Sequence, residues 1–339
     1  MANIISMKND TYPPETQGIF YLVSSLAYKA AEEVYCSGSY VRDLLLGREQ
    51  RRLNFIVTGS AVDFARQLSA IFPGKLIICD KSPSTALILT KGFVFNMVTA
   101  RQEFNPFFEP EKQDSLRQYL FTRDFTIDTL AFSLNLETFG ELFDFFGGVA
   151  DLEAGKLKVL YEMSFADNPL RILRLIRLEQ RFGFSMEEGT KLLLDRAIEQ
   201  NLLRKVSRES LSEELRLLFM ELSPVKILKR LIELDLFSRL FPRVNATDEL
   251  LQRLRSLEEY LHSAGQGEKA EMVFQQESCF MFYLTMLLSD LSAHDASYLY
   301  HTMRLKTKER LKLSAMTNAQ CDFREMDRCV AIWNDIAMK

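Results

Sequence analysis

The sequence has few of the residues that build metal and disulfide sites. Its 339 residues include three histidines, one tryptophan and five scattered cysteines, with no Cys-x-x-Cys pair. A structural zinc site needs several such ligands at short spacing, so this composition argues against a zinc-held fold. Glycine and proline are also scarce, at 14 and 9 residues. Their scarcity excludes collagen-like and low-complexity chains.

Long apolar runs and a strong net charge are missing as well. No window approaches eighteen uncharged apolar residues, so no membrane-spanning helix is predicted. The first eleven residues include Lys8, Asn9 and Asp10 and lack an apolar core of signal-peptide length. We therefore expect a cytoplasmic protein that makes no membrane contact. The net charge of −4 argues against a surface coated in positive charge, although a local basic strip can still bind nucleic acid.

Hydrophobic residues are plentiful, at 47% of the chain, which is enough for two or three domains with separate cores. In the first 150 residues, helical periodicity over 15–34 and 61–72 alternates with β-rich runs. These runs are residues 54–58, 76–79, 85–89 and 94–98. From residue 169 to 339 the periodicity is helical and almost unbroken. The sequence therefore predicts an α/β head followed by an all-helical remainder.

The first of four polar blocks, residues 36–47, contains a turn of small residues that opens a helix. Backbone N–H groups at such a turn favour an anion, and Arg42 offers two donors that match a phosphate. A tight turn with Ser39 as the helix cap explains the same residues equally well.

The other three blocks also carry charged or polar residues. Residues 122–131 combine Arg, Asp and Thr around an aromatic side chain, and residues 144–152, which begin and nearly end with Asp, follow a strand-like run. In the last block, Asp167 and Asn168 precede a proline at the start of a predicted helix. Arginines then recur along one helical face with no acid interleaved on that face, since Glu179 points elsewhere, and this favours phosphate or base contacts over a merely solvated face. They are Arg171, Arg174, Arg177 and Arg181.

Taken in order, the four blocks resemble those of class II tRNA nucleotidyltransferases and bacterial poly(A) polymerases, which add nucleotides to RNA 3′ ends without a nucleic-acid template. The resemblance covers residues 34–242. It implies an α+β fold, in which a nucleotidyltransferase head with a small mixed sheet precedes a helical neck, body and tail. We expect the head over 1–150, a nucleotide- or RNA-binding neck over 151–222, and the body and tail over 223–339.

The resemblance also assigns contacts to nucleotide and phosphate. The family's Gly-Gly-x-Val-Arg-Asp loop, which binds the triphosphate, matches residues 38–43 with Ser39 in place of the second glycine. The Arg-Arg-Asp block has Thr122 first, and the base-reading Glu-Asp-x-x-Arg block becomes residues 167–171. The expected nucleotide- and phosphate-binding residues are Gly38, Ser39, Arg42, Asp43, Arg123, Asp124, Asp167, Asn168 and Arg171, and the expected RNA-binding residues are Arg174, Arg177 and Arg181.

The family's metal-binding acids are missing from this sequence. The strand that carries an Asp-x-Asp pair in the family has Arg52 and Asn54 at these positions. Asn96 falls where relatives often carry a third acid. Sliding the alignment does not recover an acid, since no Asp or Glu lies between Gln50 and Val62. We therefore treat Arg52, Asn54 and Asn96 as degenerate catalytic positions.

Replacing these acids has a large electrostatic consequence. Mg²⁺ prefers charged oxygen ligands, and a guanidinium about 4 Å away would repel it by about 8 kcal/mol at an effective dielectric of about 20. We predict no family-type metal site and no cofactor. Lys, Arg and amide side chains should fill the cleft instead, with Arg52 pairing with a neighbouring acid.

Three hypotheses for the function stay open. The leading one is a catalytically impaired family member that retains binding of ATP, CTP or a tRNA-like RNA 3′ end. The second is an active RNA 3′-end nucleotidyltransferase that holds Mg²⁺ through other ligands, for which Asp43, Asp124 and Asp128 are the nearest acids. The third is a protein-interaction scaffold that has kept only the fold, with an unknown protein partner.

Overall fold

Two units, Met1–Glu162 and Met163–Lys339, make up the chain. The computed structural model describes residues 5–6, 12–79, 84–100, 115–264 and 276–318. A mixed sheet with helices forms the first unit, whereas helices dominate the second. The predicted α+β class is confirmed, and the finer division at residues 150 and 222 stays a prediction. Within the described ranges, no helix is long and apolar enough to cross a membrane.

The sheet of the first unit has eight strands in the order β1-β8-β7-β2-β3-β6-β5-β4. Strands β3 and β6 run parallel to each other, and the other neighbouring strands pair antiparallel. The strands are β1 (Ile5–Ser6), β2 (Val34–Ser37), β3 (Arg52–Val57), β4 (Lys75–Cys79), β5 (Thr85–Leu89), β6 (Val94–Thr99), β7 (Ala131–Ser133) and β8 (Glu141–Phe143). A further short strand, β9, follows at Lys156–Leu157.

Helices cover both faces of this sheet. They are α1 (Pro14–Ala30), α2 (Ser39–Leu45), α3 (Ala61–Ile71), α4 (Ser115–Phe121) and α5 (Gly148–Glu153). Alternate residues of β3, including Leu53 and Phe55, are fully buried on the face where α3 contacts the strands. On the opposite face, Ile56 and Val98 pack against Leu116 of α4 in a second apolar cluster. The period-two burial of β3 therefore places Arg52 and Asn54 on the α4 side of the sheet.

The predicted first helix was wrong at its end. It stops at Ala30 because Ala31 adopts a left-handed backbone with a φ of 54°, and residues 34–37 form β2 instead. This strand is central, since it pairs with both β3 and β7. The four β-rich runs and the helix predicted over 61–72 are confirmed as β3, β4, β5, β6 and α3, with ends shifted by no more than two residues.

The block at residues 144–152 serves the fold. Both carboxylate oxygens of Asp144 accept backbone N–H groups at the start of α5, from Gly148 at 2.8 Å and Val149 at 3.0 Å. A Cβ atom on Gly148 would lie 2.3 Å from the carbonyl oxygen of Thr126. Only glycine lets α5 approach the 3₁₀ turn Thr126–Asp128 this closely.

Over residues 163–264 and 276–318, the second unit consists of helices, a 3₁₀ turn at Leu202–Lys205 and the short strand β10 at Ser185–Met186. Its helices are α6 (Ser164–Asp167), α7 (Arg171–Phe182), α8 (Glu188–Glu199), α9 (Arg208–Phe219), α10 (Pro224–Glu233), α11 (Phe237–Leu240), α12 (Asp248–Ala264), α13 (Gln276–Leu288), α14 (Ala293–Thr302) and α15 (Thr307–Asn318). Gly183, Ser207 and Ser223 each lie between two of these helices. The helical periodicity expected over 319–339 lies outside the described residues.

The aromatic and methionine side chains of α13 belong to the core of the second unit. Phe280, Phe282 and Met286 are each at most 1% exposed. The ring of Phe219 on α9 packs against Phe280 at a centroid distance of 5.9 Å and stacks on Tyr283 at 5.5 Å. These side chains therefore serve packing within the second unit.

Candidate functional site

The degenerate positions lie together at the beginning of the parallel strands β3 and β6. Asn54 and Asn96 are register partners, and Arg52 lies two residues before Asn54 on the same face. Both asparagines are half-buried and Arg52 is exposed. Directly beyond them on this face, the apolar pair Ile56 and Val98 begins the cluster under α4. The site therefore occupies the polar end of an otherwise apolar sheet face.

Hydrogen bonds join the two asparagines to the loop before α2. Asn96 donates through Nδ2 to Asn54 Oδ1 at 3.3 Å, and Asn54 donates through Nδ2 to Ser39 Oγ at 3.3 Å. Ser39 directly follows Gly38, whose φ of 70° and ψ of −135° suit glycine and let the chain turn into α2. The structure thus brings the glycine loop and the degenerate strand positions into one cluster, as the resemblance implies.

These side chains do not fit a divalent metal ion. The three positions present two neutral amides and a guanidinium, and Asn54 Oδ1 already accepts a hydrogen bond from Asn96. Mg²⁺ prefers charged oxygen ligands. In the part of the chain that the structure describes, no three His, Cys, Asp or Glu side chains are grouped so as to hold a metal. Asn54 and Asn96 lie side by side on β3 and β6, and their place in a former metal cleft stays a prediction.

The accompanying expectation for Arg52 was wrong. Within the described ranges, no acid pairs with its exposed side chain, and β3 itself contains none. Arg52 is the first residue of β3 and is exposed to solvent, so its N–H donors lie outside the protein interior.

Arg42 is the buried counterpart of Arg52. Its side chain is 4% exposed, and it donates to Asp43 Oδ1 at 2.8 Å and to Asp128 Oδ1 at 2.6 Å. Burial alone would lower the pKa of Arg42, but Asp128 and Asp43 outweigh it and hold the pKa above its ordinary value. Burial also raises the pKa of Asp128, against the pull of Arg42, and the nearby Asp124 adds to the rise. Gln50 donates to the second oxygen of Asp43 at 3.1 Å.

Arg123 is held by an aromatic side chain. Its guanidinium lies 4.6 Å from the ring centroid of Tyr119 and donates to the Tyr119 hydroxyl at 2.6 Å. Burial raises the pKa of Tyr119, although Arg123 opposes this shift. Three residues further, the Thr126 hydroxyl donates to Asp151 at 2.6 Å. The block at 122–131 thus combines charge with a rigid hydrogen-bonded frame.

In the second unit, the block at 167–171 forms the junction of α6 and α7. Asp167 is exposed at the end of α6, and Asn168 Oδ1 accepts the backbone N–H of Leu170 at 3.2 Å. The buried Arg171 donates to both the carbonyl and hydroxyl oxygens of Ser164, at 3.1 and 3.0 Å. A role in base recognition for these residues stays a prediction.

The other arginines of α7 form ion pairs with acids from the region of α9. Glu214, with its side chain 3% exposed, pairs with Arg174 at 2.9 Å and Arg177 at 3.3 Å. Glu221, 6% exposed, pairs with Arg177 at 3.0 Å and Arg181 at 2.7 Å. The arginine face expected to lack acids is therefore neutralised by a neighbouring helix and its end, and its RNA contacts stay a prediction.

Several residues that contact the arginines were not predicted from the sequence. Asp128, a candidate metal ligand by sequence, pairs with Arg42 at 2.6 Å in the structure. Tyr119, Glu214 and Glu221 carried no local signal, because each lies next to its arginine only after folding. For Asp128 the signal was present, since it lies within the same block as Arg123 and Asp124.

Comparisons with known proteins agree with this arrangement. Residues 34–158 match the family model described as "Poly A polymerase head domain". Residues 183–247 match the model described as "Probable RNA and SrmB- binding site of polymerase A". The first match covers the cluster around Asn54, and the second covers α8 to α11.

Curated relatives and solved structures give the same picture. The A-adding tRNA nucleotidyltransferase of Geobacter sulfurreducens is 32% identical over 254 residues, which are 74% of this chain and 29% of the relative. The A-adding tRNA nucleotidyltransferase of Aquifex aeolicus is 32% identical over 226 residues, which are 66% of this chain and 27% of the relative. This chain therefore spans less than a third of the length of these two relatives.

Among solved structures, the Thermotoga maritima CCA-adding enzyme complexed with tRNA has a TM-score of 0.71 and 30% identity, covering 91% of this chain and 71% of that one. Complexes of a CCA-adding enzyme with ATP and with CTP have TM-scores of 0.78 and 0.76, at 29% and 30% identity, and each covers 94% of this chain and 74% of the other.

Proposed function

Since this chain belongs to the class II tRNA nucleotidyltransferase and bacterial poly(A) polymerase family, we propose that it binds a nucleotide or an RNA 3′ end but is impaired in metal-dependent nucleotidyl transfer. The fold and the glycine loop of the family are retained. The difference from the family pattern lies in the chemistry of the side chains at the beginning of β3 and β6.

One observation carries this proposal. At the positions where the family resemblance implies acids, Asn96 donates to Asn54 and Asn54 donates to Ser39, and Arg52 adds a positive charge on the same face. Phosphoryl transfer by two metal ions depends on anionic ligands that clamp both ions. Two amides and a guanidinium supply no such anion.

Two of the neighbouring acids already have a partner. Arg42 binds Asp43 and Asp128 at 2.8 and 2.6 Å, so a buried cation offsets part of their charge. Recruiting them to a metal ion would leave Arg42 buried without its counter-charges, which costs several kcal/mol. The geometry therefore favours the impaired enzyme over an active one with substitute ligands.

Binding to RNA rests on the relatives. The second matched family model names an RNA-binding site, and the Thermotoga maritima neighbour is a complex with tRNA. Filter binding to tRNA with a salt titration tests this part, because phosphate contacts release counterions and give a steep loss of affinity with salt. Undetectable or salt-insensitive association would contradict it and favour the scaffold hypothesis.

A 3′-extension assay tests the catalytic part. Trimmed tRNA, labelled ATP or CTP, and Mg²⁺ or Mn²⁺ are incubated with the native chain or with the double variant Arg52→Asp/Asn54→Asp. We expect no extension by the native chain. If only the double variant extends the tRNA, the missing carboxylates explain why the native chain does not.

The matched control is Arg51→Asp, which adds an acid next to β3 but on the opposite side of the chain. It should leave the assay silent. Extension by the native chain would overturn the impaired-enzyme proposal and direct attention to Asp43, Asp124 and Asp128. If neither the native chain nor the double variant extends the tRNA, other contacts with the nucleotide or the RNA have also been lost.

A further inference from the structure

Among the described residues, the face at the start of β3 and β6 is rich in hydrogen-bond donors, and its strands carry no acid. We propose that Arg52, with Ser39, Asn54 and Asn96 beside it, binds a polyphosphate anion such as the triphosphate of a nucleotide without a divalent metal ion. The guanidinium of Arg52 supplies the positive charge. This inference rests on the proposed function and specifies how its nucleotide would be held.

Each side chain of the cluster has a donor left for a ligand. Ser39 Oγ accepts from Asn54, so its own hydroxyl proton has no acceptor among the described residues. Each asparagine amide uses one N–H inside the cluster and retains a second. The guanidinium of Arg52 contributes up to five N–H groups in a planar fork that matches a phosphate.

The charge of this face has a single sign. In β3, β5 and β6, neighbouring strands of the sheet, Arg52 is the only charged residue in the sequence. The acids of the adjacent helix and turn, Asp43 and Asp128, both pair with the buried Arg42, which offsets one of their two negative charges. An anion placed beside β3 and β6 therefore meets the positive charge of Arg52, while the carboxylates of Asp43 and Asp128 are held by Arg42.

The spacing allows one ligand to contact the whole cluster. Arg52 and Asn54 are two residues apart on a strand, which separates their Cα atoms by about 7 Å. Asn96 is directly opposite Asn54, and Ser39 is within hydrogen-bond distance of Asn54. The cluster carries donors where a metal site would carry acceptors, so its electrostatic preference is the opposite of that of a metal site.

This reversal gives a clear expectation for magnesium. A metal-dependent site binds ATP more tightly when Mg²⁺ is present. Here Mg²⁺ neutralises the phosphates that Arg52 attracts and is itself repelled by the guanidinium. Binding should therefore be as tight or tighter in EDTA, and it should weaken with added salt because the side chain is exposed.

The test is isothermal titration of the full chain with ATP and with inorganic tripolyphosphate, each in EDTA and in excess MgCl₂. The native chain should bind both probes in EDTA. Arg52→Ala should weaken this binding by about 10-fold or more, the range for a hydrogen bond to a charged group. Arg51→Ala, which removes the same charge from the adjacent exposed position, should change it by less than about twofold. Circular dichroism confirms that each variant is folded.

Three results would overturn the inference: binding that needs Mg²⁺, absence of binding to either probe, or equal losses in the Arg52→Ala and Arg51→Ala variants. A further readout is Arg52→Asp/Asn54→Asp, which should lose binding in EDTA and regain ATP binding with MgCl₂. The proposed function is judged separately, since it fails if the native chain extends RNA whatever the titrations give. Binding that appears only with Mg²⁺ contradicts this inference even when no extension occurs.

Discussion

Arg42 and Arg52 lie in the same unit but in opposite surroundings. The Arg42 side chain is 4% exposed and touches two carboxylates. Arg52 is exposed, and the described residues offer it no acid. A buried guanidinium must be neutralised by the chain itself, because an uncompensated charge in the interior is costly. An exposed one carries no such requirement and is available to an external anion.

The second unit repeats the first of these two arrangements. Along α7, the arginines expected to meet RNA share Glu214 and Glu221 as partners. A row of arginines therefore does not locate an anion site by itself. The position of the acids decides whether the positive charge stabilises the fold or faces a ligand.

The largest expected effect concerns the buried member of the comparison. Arg42→Met removes the cation that pairs with the buried Asp43 and the half-buried Asp128. We expect this variant to lower the free energy of unfolding of the first unit by about 3–5 kcal/mol. Arg52→Met, at the exposed position, should change it by less than about 0.5 kcal/mol. Urea denaturation with hydrogen exchange on the first unit measures both. Equal losses in the two variants would remove the distinction drawn here.

An intermediate effect is expected for the acids of the second unit. Glu214→Gln keeps the shape of the side chain but removes the charge shared by Arg174 and Arg177, which remain partly exposed. We expect a loss of about 1–3 kcal/mol, the range for hydrogen bonds to charged groups. Glu213→Gln, on the exposed side of α9, is the matched control and should be nearly neutral. If Glu214→Gln were neutral too, α7 would not depend on this pairing.

The sequence predicted most of the strands and helices of the first unit but not the contacts between residues that lie far apart in the chain. Runs such as residues 85–89 are rich in β-branched and aliphatic residues, so their extended structure follows from local preference. Strand β2 was missed because four residues directly after a helix show too little alternation to be distinguished from its last turn. The degenerate positions 52 and 54 could be placed because one family pattern fixed them.

The partners of the arginines could not be predicted in this way. Asp128 is 86 residues from Arg42 in the sequence, and Glu214 is 40 residues from Arg174. No periodicity connects residues at such separations, and only the packing of α2 on the sheet, or of α7 on α9, brings them together. The wrong prediction that Arg52 pairs with an acid has the same cause. Local sequence does not show which residues become its neighbours after folding.

The smallest expected effect is at an exposed pair in the second unit, where Arg253 on α12 contacts Asp290. A hydrogen bond from Arg253 holds the pKa of Asp290 below its ordinary value of 3.8. A carboxyl with a lowered pKa in the folded state stabilises the protein above its ordinary pKa, and that stabilisation is lost as the pH falls below it. The Asp290 side chain is 63% exposed, so solvent screening limits the contribution to less than about 1 kcal/mol. Asp290→Asn should therefore be slightly less stable than the native chain at neutral pH and equally stable once the pH falls well below 3.8, as measured by urea denaturation across pH. A difference between the two that persisted or grew in acid would show that Asp290 acts through something other than its charge.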